Sequence, residues 1–171
     1  MSPPATTTTP ETFDAAADKK AVLAVCQTML NSLSLSGAEG RAAFLAQLAP
    51  KGSATHGRRL MSSSHGFEHE SFPDGFADRI PWSLPRGTME ERIDGAPTVL
   101  LDHDLAMVWT PYWFRNGERL THVGTNCFTL LKARWPAGTT GEEGEMVWRV
   151  GGLTDTARPP TEEDKRRLGF S

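Results

Sequence analysis

The 171-residue chain has only two cysteines, no apolar run of membrane-spanning length and no surplus of either charge. Crossing a bilayer as a helix takes roughly twenty consecutive apolar residues, and no stretch approaches that. Eighteen basic against 21 acidic residues, with a pI near 5.9, leave no electrostatic footprint for nucleic acid or an anionic membrane, so neither is expected as a partner. The basic cluster Lys165-Arg166-Arg167 sits beside Glu162, Glu163 and Asp164, which largely cancel it. Cys26 and Cys127 fall in apolar patterns of different elements and read as two lone buried thiols, which suit a reducing compartment. Residues 21–30 are the one candidate signal core, but acidic residues precede them and no small-residue cleavage site follows; the expected location is the cytoplasm. Catalytic signatures are missing too. There is no glycine-rich phosphate cradle, and Ser62-Ser63-Ser64 lacks the glycines of a nucleophile elbow. His65-x3-His69 with Glu68 and Glu70 has ligand-like spacing for a helix, but its surroundings read as a loop; no metal and no cofactor are expected.

What is present is organised around residues 105–131, LAMVWTPYWFRNGERLTHVGTNCFTLL, which read as two long strands joined at Asn116-Gly117. Asparagine followed by glycine is the strongest short-range hairpin signal, because both tolerate positive φ. With those two as the loop, Arg115 pairs with Glu118, Trp109 with Gly124 and Leu105 with Phe128. Alternation then places Met107, Trp109, Trp113, His122, Asn126 and Phe128 on one greasy face, and Thr110, Tyr112, Thr121, Thr125 and Thr129 on a mixed opposite face.

The rest follows in order. Residues 1–13, with a TTTT run and three prolines, have little to bury and are expected to be a disordered tail. From Asp14 or Asp18, the residues Val22, Leu23, Cys26, Met29, Leu30 and Leu33 repeat at three- and four-residue spacings and predict an amphipathic helix. Residues 38–48 predict a second, shorter helix ended by Pro50. Residues 52–60 predict a short first strand, 61–72 a loop, and 76–80 a brief helix closed by Pro81 and Pro85 around Trp82, which is either a lid over a cavity or a core plug. Residues 88–94 and 98–102 suggest a strand pair about Gly95-Ala96-Pro97, and 146–156 a final strand after a loop rich in glycine and glutamate. Residues 159–171 are expected to form a tail or short helix. Helices first, then strands of increasing length, describe an α+β domain over residues 14–158 in which a curved antiparallel sheet wraps around N-terminal helices, with a cavity at the open end.

That order, with the phrases LDHDLAMVWTPYWF, RNGERLTHVGTNCFTLL and WRVGGLTDTAR, resembles the nuclear transport factor two-like superfamily, in particular its SnoaL-like and lumazine-binding-like members. The resemblance implies a cystatin-like cone, a small hydrophobic ligand and a homodimer formed through the sheet. Steroid isomerases of this superfamily carry an inward acid two residues before a phenylalanine, the position held here by Asn126 before Phe128. An amide cannot be a protonated acid, but its NH2 can donate to a developing oxyanion. The isomerase's base on the first strand and tyrosine on the first helix have no match, which disfavours steroid isomerisation.

The candidate site is therefore His122 as the proton-moving group and Asn126 as the oxygen holder, about 13 Å apart along one strand, with Met107, Trp109, Trp113, Phe128 and Trp82 as apolar walls. Secondary candidates are Asp155, able to orient a histidine or act as a base but of unfixed facing beside Gly151-Gly152, and His56 on the first strand. Glu91 is expected on a solvated face. Two functions fit: a cofactor-independent enzyme of the isomerase, cyclase or dehydratase kind acting on an apolar oxygenated metabolite, or a non-catalytic ligand-binding or dimerisation module. An open cavity reaching His122 favours the first, and a cone filled by Trp109 and Trp113 the second.

Overall fold

A computed structural model describes residues 13–58, 66–135 and 146–171. The expected tail at residues 1–12 and the glycine- and glutamate-rich loop before the last strand lie outside them. The elements run α1 (Ala15–Ser32), α2 (Gly37–Leu45), β1 (Leu48–Arg58), β2 (Gly66–Ser71), α3 (Asp74–Asp78), β3 (Met89–Ile93), β4 (Thr98–Asp102), β5 (Leu105–Asn116), β6 (Arg119–Arg134), β7 (Met146–Arg158) and α4 (Glu162–Leu168). The seven strands make one open sheet in the order β2-β1-β7-β6-β5-β3, with β4 also on β5; β1 and β7 run parallel and the other pairs antiparallel. This is the expected α+β architecture of a curved sheet wrapped on helices.

The first helix begins where the Asp14 carboxylate accepts hydrogen bonds from the backbone N–H of Ala16 and Ala17, at 3.0 and 3.1 Å. Its stripe of Val22, Cys26, Met29, Leu30 and Leu33 is buried against the sheet with Val108, Phe128, Leu130 and Val150. One turn in, buried Asp18 accepts from the Trp148 indole at 2.8 Å and pairs with Lys132 at 3.1 Å, which clamps the start of α1 to β6 and β7. Burial alone would raise this carboxyl's pKa; the donors from Trp148 and Lys132, with the lysine's charge, outweigh it and hold the pKa low.

Several elements differ from expectation. The second helix stops at Leu45 because Leu48 already belongs to β1, and residues 66–71 pair with β1 as β2 rather than forming loop. Strands β3 and β4 do not pair with each other; they lie end to end along β5, where Ile93 meets Tyr112 and Thr98 meets Trp109. Pro111 sits at the gap between them, where a residue without an N–H takes nothing from either ladder. The last strand continues to Arg158, and α4 follows behind a capping box formed by Thr161 and Asp164.

The central hairpin also departs from the expected register, with consequences for facing. Asn116 pairs with Arg119, so the two-residue turn is Gly117-Glu118. Gly117 has φ of +61° at the first central position, the place where a II′ turn requires glycine. A bulge between Phe114 and Arg115 then adds one residue on β6, so that Phe114 meets His122 and Leu105 meets Leu131 instead of Phe128. The total slip is three residues, an odd number, so β5 is turned over relative to β6. Inward on β5 are Ala106, Val108, Thr110 and Tyr112, all buried; Leu105, Met107 and Trp109 face out, Trp109 with 55% of its surface exposed.

Candidate functional site

A cavity of about 240 Å³ lies between α1, α3 and the concave face of the sheet. Met29, Leu30 and Leu33 of α1 form one wall, and Phe76, Ile80 and Pro81 another. The strands contribute Leu153 and the aromatic side chains Tyr112 and Phe114. The polar side chains His56, Asp155, Asn126, Glu91 and His122 meet this apolar shell, with Arg79 at its margin.

His56 and Asp155 are register partners on the parallel strands β1 and β7, and His56 Nδ1 lies 2.9 Å from Asp155 Oδ1. Both are buried, His56 to 3% exposure. The facing of Asp155 is set by a bulge. Thr129 pairs with Gly152 but Leu130 with Val150, so Gly151 is passed over and the inward series changes from Trp148 and Val150 to Leu153, Asp155 and Ala157. Without that extra residue Asp155 would point away from the cavity. Gly52 on β1 approaches this bulge closely: a Cβ there would lie 2.2 Å from the Gly151 carbonyl oxygen, so only glycine fits at that position. A histidine that donates from Nδ1 to a carboxylate keeps its Nε2 lone pair for a reacting proton, as in carboxylate-oriented catalytic histidines generally.

Next across the sheet from Asp155 is Asn126, which is 1% exposed and donates from Nδ2 to Glu91 Oε1 at 2.7 Å. Glu91 belongs to β3, and β5 runs between β3 and β6, so the concavity of the sheet brings these two side chains together. The expectation of a solvated Glu91 is therefore corrected. The alternation that places Glu91 on one face with Met89 and Ile93 was the signal available in the sequence; the neighbouring charges Glu90 and Arg92 obscured it. Four residues along β6 from Asn126, His122 stacks on Phe114, with ring centroids 4.9 Å apart, and meets Tyr112 edge-on at 5.8 Å. Gly124, between Asn126 and His122, makes room for that tyrosine: a Cβ there would lie 2.8 Å from the ring and 1.7 Å from the Thr156 carbonyl oxygen, which accepts from the Tyr112 hydroxyl at 3.2 Å.

Of the residues picked from sequence, His122, Asn126, Asp155 and His56 come together at this cavity. The expected apolar walls do not. Met107 and Trp109 project from the outer face because of the β5 slip. Trp113 lies on that face as well, 5.6 Å from Phe170 of the C-terminal segment and beside the Arg92 guanidinium. Phe128 is inward but fully packed in the core against Val108 and Leu130. Trp82 is a plug: it packs on Phe44 at 5.7 Å and donates from its indole to the Ala77 carbonyl at 2.8 Å. The walls are instead supplied by Tyr112, Phe114 and the helix residues. Neither thiol is an activated nucleophile, since burial pushes Cys26 up to about 12 and also raises Cys127. Among the described residues no cluster of histidine, cysteine or carboxylate side chains could hold a metal, and no helix is long and apolar enough to cross a membrane. His65 is outside the described residues.

Comparison with solved structures places this geometry in a known fold. The chain is similar to a protein of unknown function with a cystatin-like fold from Nostoc punctiforme, at 13% identity and a TM-score of 0.59, over 87% of this chain and 97% of the other. It is also similar to the beta subunit of a candidate aromatic-ring-hydroxylating dioxygenase from Novosphingobium aromaticivorans, at 12% identity and 0.59, over 86% and 93%. A candidate scytalone dehydratase from the same organism aligns at 9% identity and 0.55, over 85% and 86%. No family model and no curated protein sequence matches the chain. The fold is thus the cystatin-like cone of the nuclear transport factor 2-like proteins, and identities this low speak for the fold alone.

Proposed function

We propose that the protein is a cofactor-independent acid–base enzyme acting on a small apolar, oxygenated molecule held in the cone. The contact between His56 and Asp155, buried in the wall of an apolar cavity, carries this reading. Asp155 orients the imidazole; His56 Nε2 removes a proton from a carbon beside a carbonyl or from a hydroxyl; Asn126 faces the oxygen on which charge develops. Glu91 takes one N–H of the Asn126 amide and so fixes which end of the amide is the donor, leaving the second N–H for the substrate. His122, further along the same strand, is placed for the complementary transfer, giving isomerisation, or loss of water if the leaving group is a hydroxyl. Sequence reasoning put the proton transfer on His122, with Asp155 and His56 as secondary candidates; the buried carboxylate partner moves the base to His56.

The test is a panel of small hydroxy-ketones and epoxides incubated with the protein and followed by mass spectrometry. Conversion by the wild type that disappears in His56→Gln supports the assignment, and conversion that persists in His56→Gln and Asn126→Ala defeats it.

The apolar outer patch supports a homodimer through the sheet on the face that carries the expected β6 threonines Thr125 and Thr129, with Met107 and Trp109 of β5 in place of the inward Thr110 and Tyr112. Leu100, Leu105, Met107, Trp109 and Leu131 are each more than two-fifths exposed and lie side by side across β4, β5 and β6. Exposed apolar side chains grouped in this way mark contact surfaces. Covering them with a second copy buries the patch and leaves both cavities open. The two free thiols suit a reducing compartment, and we place the protein in the cytoplasm.

A further inference from the structure

The walls of the cavity limit what it can hold. On the sheet, His56, Asp155 and Asn126 stand in one register row across β1, β7 and β6. The next row, Ala54, Leu153, Phe128 and Val108, is buried core, so the cavity closes just past the polar one. Toward the hairpin, Gly124 opens no room, because the Tyr112 ring occupies the space over it, and the next inward pair, His122 and Phe114, is stacked at 4.9 Å. The roof is fixed as well: Phe76 stacks on Phe72 at 5.5 Å and meets Phe44 edge-on at 5.2 Å, and Trp82 backs Phe44. Large side chains packed on one another yield little to an oversized guest. At the margin Arg79 is paired with Glu68 at 2.7 Å and Glu70 at 3.0 Å, so hydrocarbon emerging beside it meets charges and water.

The volume turns these walls into a size. An apolar cavity of about 150 Å³ takes benzene, with its six carbons. In proportion, about 240 Å³ takes roughly ten non-hydrogen atoms. An open chain of that length would lose its rotational freedom on entry, whereas a ring has little to lose. Among the described residues of the lining, those from α1, α2 and α3 are all apolar, so the oxygen of such a ring belongs at the sheet.

We propose that the ligand is a compact cyclic ketone or ketol of about ten non-hydrogen atoms, in one ring or two fused rings, with its oxygen at Asn126 and His56 and its hydrocarbon under α1 and α3. Four-ring and long-chain compounds are excluded by size. This rests on the reading of the cavity as a small-molecule site and names the size class of its substrate.

A homologous series in which only size changes tests it: the full chain is titrated calorimetrically into cyclohexanone, cyclooctanone, cyclodecanone and cyclopentadecanone at pH 7. Affinity is expected to rise about threefold per methylene up to about the ten-membered ring and then to fall, with cyclopentadecanone not measurably bound. Met29→Ala, which cuts back the α1 wall, should move the optimum to a larger ring. Asn126→Leu should weaken the best ketone about tenfold. The wild-type series decides the matter even if a variant fails to fold. An affinity that climbs through cyclopentadecanone, one indifferent to ring size, or an optimum unmoved in a folded Met29→Ala overturns the size limit and leaves the small-molecule site standing. Undiminished binding in Asn126→Leu overturns the placement of the oxygen. No binding by any ring overturns both the size class and the site.

Discussion

Glu91 and Asn126 are joined by a 2.7 Å hydrogen bond although a whole strand separates the two strands that carry them. Side chains on a flat sheet two strands apart are nearly 10 Å from each other at their bases, so only a concave surface allows the contact. The bond is thus both a consequence of the curvature and a tie that holds it. Replacing Asn126 by Leu should cost about 2 kcal/mol in urea unfolding, since the buried end of Glu91 loses a donor. In a double-mutant cycle with Glu91→Gln, the two losses should fall short of additivity by about 1 kcal/mol. Strict additivity would mean that the bond does not form in solution.

Gly124→Ala should be among the most damaging single substitutions in the chain. Its Cβ would have to displace the Thr156 carbonyl on β7 and the Tyr112 ring together, and neither is a flexible end. A loss of about 3 kcal/mol or failure to fold is expected, measured by thermal unfolding. A variant as stable as the wild type would contradict the packing of Tyr112 on this glycine.

The first helix was legible because nothing interrupts its period. Val22, Cys26, Met29, Leu30 and Leu33 are buried on one face of the helix, and Leu23 of the expected stripe is half-buried at its edge. The facing of β6 was equally plain, and it correctly turned His122 and Asn126 toward the cone. The facing of β5 was not, because alternation along a strand is meaningful only up to the first bulge, and the one at Phe114 has no residue signature of its own. Asp155 shows the converse: the Gly151-Gly152 pair announced a possible bulge, but which glycine is skipped depends on pairing with Thr129 and Leu130, a long-range fact. The His56–Asp155 contact joins residues 99 apart on parallel strands, a distance over which single-sequence periodicity carries no information.

The C-terminal helix supplies a pH dependence of definite sign. The Asp164 carboxyl is held far below the usual carboxylate range, first by hydrogen bonding from Arg158 and then, against the opposing effect of burial, by the Thr161 backbone and hydroxyl. A folded pKa lower than the unfolded value of about 3.9 means that the stabilisation is complete above that value and is lost as pH falls through the folded pKa. Asp164→Asn should therefore cost about 1 to 3 kcal/mol at pH 7, and the gap to the wild type should narrow steadily below about pH 4. A gap that stays constant down to pH 2 would contradict the ion-paired cap.

The outer patch predicts a concentration-dependent dimer. Sedimentation at tens of micromolar should give twice the monomer mass for the wild type and the monomer for Trp109→Asp combined with Met107→Asp, with the far-UV circular dichroism unchanged. A monomeric wild type would remove the sheet as the contact surface.

The central claim is that His56 and Asp155 act as one proton-accepting unit in the cone. It is tested most directly by turnover of the first converted substrate in His56→Gln, Asp155→Asn and the double variant. The account predicts that each single change lowers kcat/KM by about 10²- to 10⁴-fold and that the double variant is scarcely worse than His56→Gln, because a base and its orienting carboxylate fail together. Near-wild-type turnover in His56→Gln, or losses that multiply in the double variant, would contradict it.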